Sequence, residues 1–418
     1  VRVTGLFTAL LGLFYLGFAL FFHKREGIPS SLKYLLIGLV LTFISLAVPV
    51  QFEGSRITLF WAAEGVLLLW FSQRTGLKLV ERASMLVTAL MGVSLWMDWE
   101  RSYGVAQEAP LTPLLNRAWI AGIAATASLA LTHALLRGRD GAENLLLFVT
   151  RGQWRALTLI AAIITLFITN ILEQRYQLDR VLHSTVVQQA LMAYALLHLL
   201  VVEWFTRKAG KGYRIAIGAL LVMAGVIFIT ANYSDACRAL SISFANTVDL
   251  GLAPYHLLAL TLMVIAVVRV ARLARDVIHR PSTGWTMYLW MASIFIVILA
   301  SQELDLIMMQ AQGTTLTLND ARRVGYPILW GVGSFAFMWY GMRARLRTMR
   351  MIALSLFAFT LVKLFLFDLG ALSEGGRVAA FIFLGALLLI ISFMYQRIKG
   401  LFVDDSKQGT PPTDAPEA

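Results

Sequence analysis

The chain has 418 residues, 58% of them apolar, and a mean hydropathy of +0.72. A water-soluble domain does not carry that apolar fraction, so soluble fold classes are excluded first. The formal net charge is +12, but the basic residues are shared among the connections between apolar runs, which excludes a nucleic-acid-binding patch and leaves membrane lipids as the expected surroundings.

A helix needs about 20 mostly apolar residues to cross some 30 Å of hydrocarbon. Thirteen stretches meet that demand, at roughly 3–22, 31–50, 57–72, 79–97, 115–136, 154–172, 183–205, 213–231, 250–270, 285–302, 325–342, 349–367 and 377–396. The run at 57–72 is the shortest. None alternates with period two over about ten residues, as barrel strands do. The predicted architecture is an all-α polytopic bundle of about 13 membrane helices over residues 1–400, followed by a Pro-, Asp- and Thr-containing tail at 401–418 that is expected to be disordered.

Charge along the connections sets the orientation. Every second connection is basic, from Lys24, Arg25 and Lys33 through Arg74, Lys78 and Arg82 to Arg397, Lys399 and Lys407, and this class holds 25 of the 36 basic residues. Positive connections stay in the cytoplasm, which predicts residue 1 outside and the C-terminus inside. The first run lacks a basic n-region and a small-residue cleavage site, so it does not read as a signal peptide. A chain that starts at Val1 directly ahead of a membrane run is expected to be a fragment or processed form with a span upstream. The single cysteine, Cys237, has no partner for an internal disulfide.

Helix ends on the basic side repeat. Trp70-Phe71 with Arg74, Trp204-Phe205 with Lys208 and Trp339-Tyr340 with Arg343 are spaced 134 and 135 residues apart. That period covers four spans and suggests repeat units at 57–172, 183–302 and 325–396, a common device in folds that move substrates. Interfacial aromatics next to a basic anchor give the same pattern without a repeat. On the opposite side, Asp98, Asp235 and Asp368 end outward-running helices, as do Glu173 and Glu303, which follow helices begun at Trp154 and Trp285. A carboxylate at a helix C-terminus opposes the macrodipole, so capping does not account for them.

The closing helices carry Val362-Lys363-Leu364-Phe365-Leu366-Phe367-Asp368-Leu369, then Leu372-Ser373, Arg377 and Tyr395-Gln396-Arg397. With Phe60-Trp61-Ala62-Ala63-Glu64-Gly65, Leu68-Leu69-Trp70 and Leu115-Asn116-Arg117, this resembles domain-of-unknown-function family 2339, large bacterial multi-pass membrane proteins. The stretch Ser373-Glu374-Gly375-Gly376 departs from the expected pattern before the arginine. The resemblance implies a bacterial inner membrane and a longer natural chain. It implies no activity.

Charge inside hydrocarbon is costly, about 2.5–3.5 kcal/mol on insertion scales, so Glu64 and Lys363 are the first candidates. Both lie roughly 6–11 Å below the outer surface at 1.5 Å per residue, which predicts that they pair or share a pocket. A buried ion pair that fixes helix register is the alternative. Asp98 and Glu100 flank Trp99 at the start of an outer connection, as paired carboxylates suited to general-base work or cation contact. Asn116 and Arg117 close that connection. Arg322 and Arg323, with Arg377 and Arg117, offer two-pronged phosphate contacts, although simple neutralisation of Glu303, Asp305 and Asp320 is the plainer role for the first two. Asp368 is expected to line one cavity with Glu64, Lys363, Asp98, Glu100, Asn116 and Arg117.

His183 and His198 are about 22 Å apart along one helix, and His133 lies at the other membrane side, so they make no shared metal or haem site. No zinc, nucleotide-loop or nucleophile-elbow motif occurs, and no metal centre is expected; the sequence identifies no cofactor and no protein partner. The preferred reading is an outward-facing polar cavity handling a lipid-linked or anionic cell-envelope substrate. Whether that handling includes catalysis stays open. A secondary transporter using the buried charges and a non-catalytic membrane scaffold are the rivals.

Overall fold

In a computed structural model the chain is described over residues 4–23, 29–104, 110–138, 144–146, 149–208, 210–246, 248–312 and 316–364, and at isolated positions between 378 and 392. Among these, helices carry nearly everything. They run α1 (Thr4–His23), α2 (Ser30–Gln51), α3 (Ser55–Thr75), α4 (Lys78–Tyr103), α5 (Arg117–Leu135), α6 (Arg151–Leu178) and α7 (Ser184–Thr206). They continue with α8 (Lys211–Ile227), which passes through a π-helical turn at Phe228–Asn232 into α9 (Tyr233–Asn246). The last four are α10 (Leu252–Val277), α11 (Thr283–Gln312), α12 (Leu316–Arg343) and α13 (Arg347–Lys363). A minimal antiparallel pairing of Asn144–Leu146 with Val149–Thr150 precedes α6.

Twelve of the thirteen apolar stretches fall in these helices. The stretch at 377–396 lies mostly outside the described residues, and Asp368, Arg377 and the tail 401–418 lie wholly outside them. Among the described residues, nine helices are long and apolar enough to cross a membrane: α1, α2, α4, α5, α6, α7, the continuous α8–α9 helix, α10 and α11. Their faces are what a bilayer demands. Phe7 is 69% exposed, Met291 69% and Trp96 64%, an apolar exterior that water does not tolerate over so large an area.

Local chemistry sets several helix ends. Asn116 caps α5 by accepting the Trp119 N–H at 2.8 Å, and Thr150 caps α6 by accepting the Gln153 N–H, with Gln153 reaching back to the Thr150 N–H. Those bonds satisfy donors that a helix leaves unpaired at its start. Gly76, with φ of +74°, ends α3 in the left-handed conformation that glycine adopts without steric cost.

The chain forms two compact units, Val1–Val187 and Gln188–Ala418. In the first, α1 pairs with α2, α3 with α4 and α5 with α6, around a core of Ala62, Met91, Leu95, Trp99, Ala118, Ala121, Ala125, Leu129 and Ala162. The alanines bring helix backbones close, as packing without hydrophobic drive requires. Gly122 shows the limit, because a Cβ there would collide with the Thr169 side chain of α6. A two-pronged ion pair from Arg151 to Glu81, at 2.8 and 2.7 Å, ties the start of α6 to the start of α4.

The second unit packs Leu196, Leu221, Phe228, Ala259, Met263 and Ala266 from α7, α8, the π turn and α10. A further cluster joins Ala274, Trp285, Leu289, Met349 and Ile352, and α12 and α13 form a hairpin beside α11.

Candidate functional site

In the first unit a buried carboxylate organises three helices. Glu173, near the C-terminal end of α6, is 2% exposed. It accepts the Asn116 side-chain amide at 2.6 Å, the Tyr103 hydroxyl at 2.8 Å, the Leu114 N–H at 3.0 Å and the Gln177 amide at 3.0 Å. Four donors on one carboxylate compensate its removal from water. Leu114 holds φ of +61°, a left-handed conformation that costs a non-glycine residue roughly 1–2 kcal/mol. The bond to Glu173 holds it there.

Beside this hub, α4 and α6 enclose a cavity of about 590 Å³ lined by Trp96, Trp99, Glu100, Tyr103, Gly104, Ile168, Leu172, Arg175, Tyr176, Asp179 and Arg180. That volume suits a small ligand. Arg180 lies over the Tyr176 ring at 6.0 Å, and Arg175 meets Asp179 at a long 3.6 Å. The indole N–H of Trp99 is buried and has no hydrogen-bond acceptor. A buried donor left that way costs about 1–3 kcal/mol.

Of the residues predicted from sequence, Glu100 lines this cavity and Asn116 joins its supporting hub. Arg117, the first residue of α5, is exposed and lines no cavity described here. Asp98, 4% exposed, takes the Thr58 hydroxyl at 2.5 Å, and Thr58 meets Ser94 at 2.7 Å, which clasps α3 to α4. Glu64, 8% exposed, accepts the Ser45 hydroxyl of α2 at 2.5 Å, while its other oxygen is buried without a hydrogen-bond partner. Glu64 belongs to the first unit and Lys363 to the second. The ammonium of Lys363 sits 5.8 Å from the ring centres of both Tyr326 and Trp330, in cation–π range. Arg322 makes a two-pronged pair with Asp305 at 3.0 and 2.8 Å, and Asp305 also accepts the Tyr233 and Tyr326 hydroxyls. Arg323 is half-buried.

A family model described as a predicted membrane protein, DUF2339, matches residues 3–398. The chain belongs to the DUF2339 family. No curated protein and no solved structure matches it. The DUF2339 match and the helices agree on a multi-pass membrane protein.

The second unit of this DUF2339 chain holds functional-site candidates that spacing and hydropathy do not single out. Gln189, Asn232, His256 and Glu303 form one buried network beside a cavity of about 580 Å³. The one available signal was Glu303 opposing its helix dipole. Another cavity of about 460 Å³ is lined by Glu203, Asp276 and five arginines, and is largely closed by its own ion pairs, Arg269–Glu203 and Arg214–Asp276. No group of three or more acidic, His or Cys residues suited to a metal occurs among the described residues.

Proposed function

We propose that this DUF2339 protein binds a lipid-linked sugar phosphate of the cell envelope, from the outer side of the bacterial inner membrane, in the cavity between α4 and α6. The observation that carries the reading is a cavity that presents aromatic faces, two arginines and two carboxylates together. Aromatic rings stack on the apolar faces of sugars, carboxylates accept sugar hydroxyls, and arginine suits phosphate. Ile168 and Leu172 supply an apolar wall for the first part of a lipid tail. Positive connections on the opposite side support the N-out, C-in orientation.

The repeat reading goes with this proposal. Glu173 and Glu303 sit at equivalent places near the ends of α6 and α11, and each bonds a residue at the start of the preceding span, Asn116 or His256. The pattern supports the units 57–172 and 183–302 as copies of one four-span design.

The test is the lipid that the purified protein retains. Mass spectrometry of wild-type protein extracted in mild detergent should find a polyprenyl-phosphate-linked sugar. The R175A/R180A variant should have lost it. Retention of bulk phospholipids alone by both would overturn the proposal.

A further inference from the structure

The network in the second unit is built around a π turn. In such a turn the backbone bonds shift from i−4 to i−5, which leaves carbonyls available to side chains. Ile229 O takes the Gln302 amide at 2.6 Å, and Asn232 O takes the Gln189 amide at 2.7 Å. A carbonyl accepts only, so the group of Gln189 facing Asn232 O is its NH₂. The Gln189 oxygen therefore faces the other way, where it accepts the Asn232 side-chain amide at 2.8 Å.

That same oxygen lies 3.1 Å from Nδ1 of His256. An amide oxygen cannot donate, so Nδ1 carries the hydrogen. The other ring nitrogen, Nε2, lies 3.1 Å from Glu303 Oε2. With neutral histidine in this tautomer and an ionised glutamate, two lone pairs would face each other. One additional proton resolves the contact, residing on Nε2 or on Oε2. Transfer between them moves only that proton and leaves both heavy-atom positions as they are.

We propose that His256 and Glu303 form a protonation site that holds one exchangeable proton at the wall of the second unit's cavity. The proposal is independent of the ligand assigned to the first unit. His256 is 8% exposed and Glu303 is half-buried, and both line the cavity with Leu252, Leu257, Leu260 and Leu306. Ionisable side chains facing a cavity within a span are the means by which membrane proteins relay protons.

Charged and titratable groups surround the pair. Asp249, ahead of α10, lines the same cavity, and no lysine or arginine lines it. On α9, Asp235 and Arg238 meet at 3.9 Å, and Cys237 is half-buried. On α11, Asp305 is taken by Arg322, Tyr233 and Tyr326. The oxygens Asn232 Oδ1 and Gln302 Oε1 are buried and accept no hydrogen bond.

The experiment is pH-difference infrared spectroscopy of the full chain in lipid nanodiscs, with nitrogen-15 NMR of its six histidines. The proposal expects a protonated-carboxyl or imidazolium signal whose appearance on acidification is lost in both Glu303→Gln and His256→Gln. It also expects His256 Nδ1 to stay protonated throughout. If Glu303→Gln does not accumulate, His256→Gln alone must remove the same signal, and Gln189→Met must release the Nδ1-protonated tautomer. Signals that persist unchanged in the variants that accumulate, or a His256 whose Nδ1 lacks the hydrogen in wild type, would overturn the assignment.

Discussion

Glu173 and Asn116 share a 2.6 Å hydrogen bond that joins the end of α6 to the cap of α5. Through the same carboxylate, α4 is bound by Tyr103 and the connection before α5 by Leu114. One side chain thus sets the geometry of the cavity wall that carries Trp99, Glu100 and Tyr103.

Glu173→Ala leaves several buried donors unpaired, each worth about 1–3 kcal/mol. The variant should unfold at a clearly lower temperature in detergent, while Arg117→Ala, at an exposed position, should shift stability by less than about 0.5 kcal/mol. Thermal unfolding followed by intrinsic fluorescence checks both.

Leu114→Gly should act in the opposite direction. The residue holds φ of +61° with its side chain 52% exposed, so glycine removes steric cost and gives up little packing. A gain of about 1 kcal/mol is expected, and a clear loss in the same unfolding assay would contradict the strain assigned to this turn.

The Glu81–Arg151 pair is the third test. Glu81 keeps only 9% of its side chain exposed, and Arg151 keeps 30%. A double-mutant cycle with Glu81→Gln and Arg151→Met should return a coupling of about 1–3 kcal/mol, with the double variant more stable than additivity allows. Additive losses would reduce the pair to an incidental surface contact.

Hydropathy and charge alternation made the helices legible, because a membrane span has to satisfy its backbone internally and show apolar groups to lipid. Asn116 was legible as a special residue, and it is both helix cap and Glu173 partner. Glu64 and Asp98 stood out as costly charges, but their immediate partners are hydroxyls, Ser45 and Thr58, which hydropathy does not distinguish from filler. His256 left no trace in spacing. Its partners lie 67 and 47 residues away on other helices, and the π turn interrupts an apolar run without a Gly or Pro signal.

The N-out, C-in orientation proposed from the charge pattern is open to labelling. In a Cys237→Ser background, cysteine at Ser102 should react with an impermeant maleimide in intact cells. Cysteine at Ser282 should react only after permeabilisation. The reverse pattern would invert the topology and move the α4–α6 cavity to the cytoplasmic side.

The most direct measurement is the affinity of a short-chain polyprenyl-diphosphate sugar for the full chain in nanodiscs, compared with Arg175→Ala and Arg180→Ala. The account predicts saturable binding that each variant weakens by about tenfold, the equivalent of about 1.4 kcal/mol. Equal affinity in all three proteins, or no binding to the wild type, would contradict it.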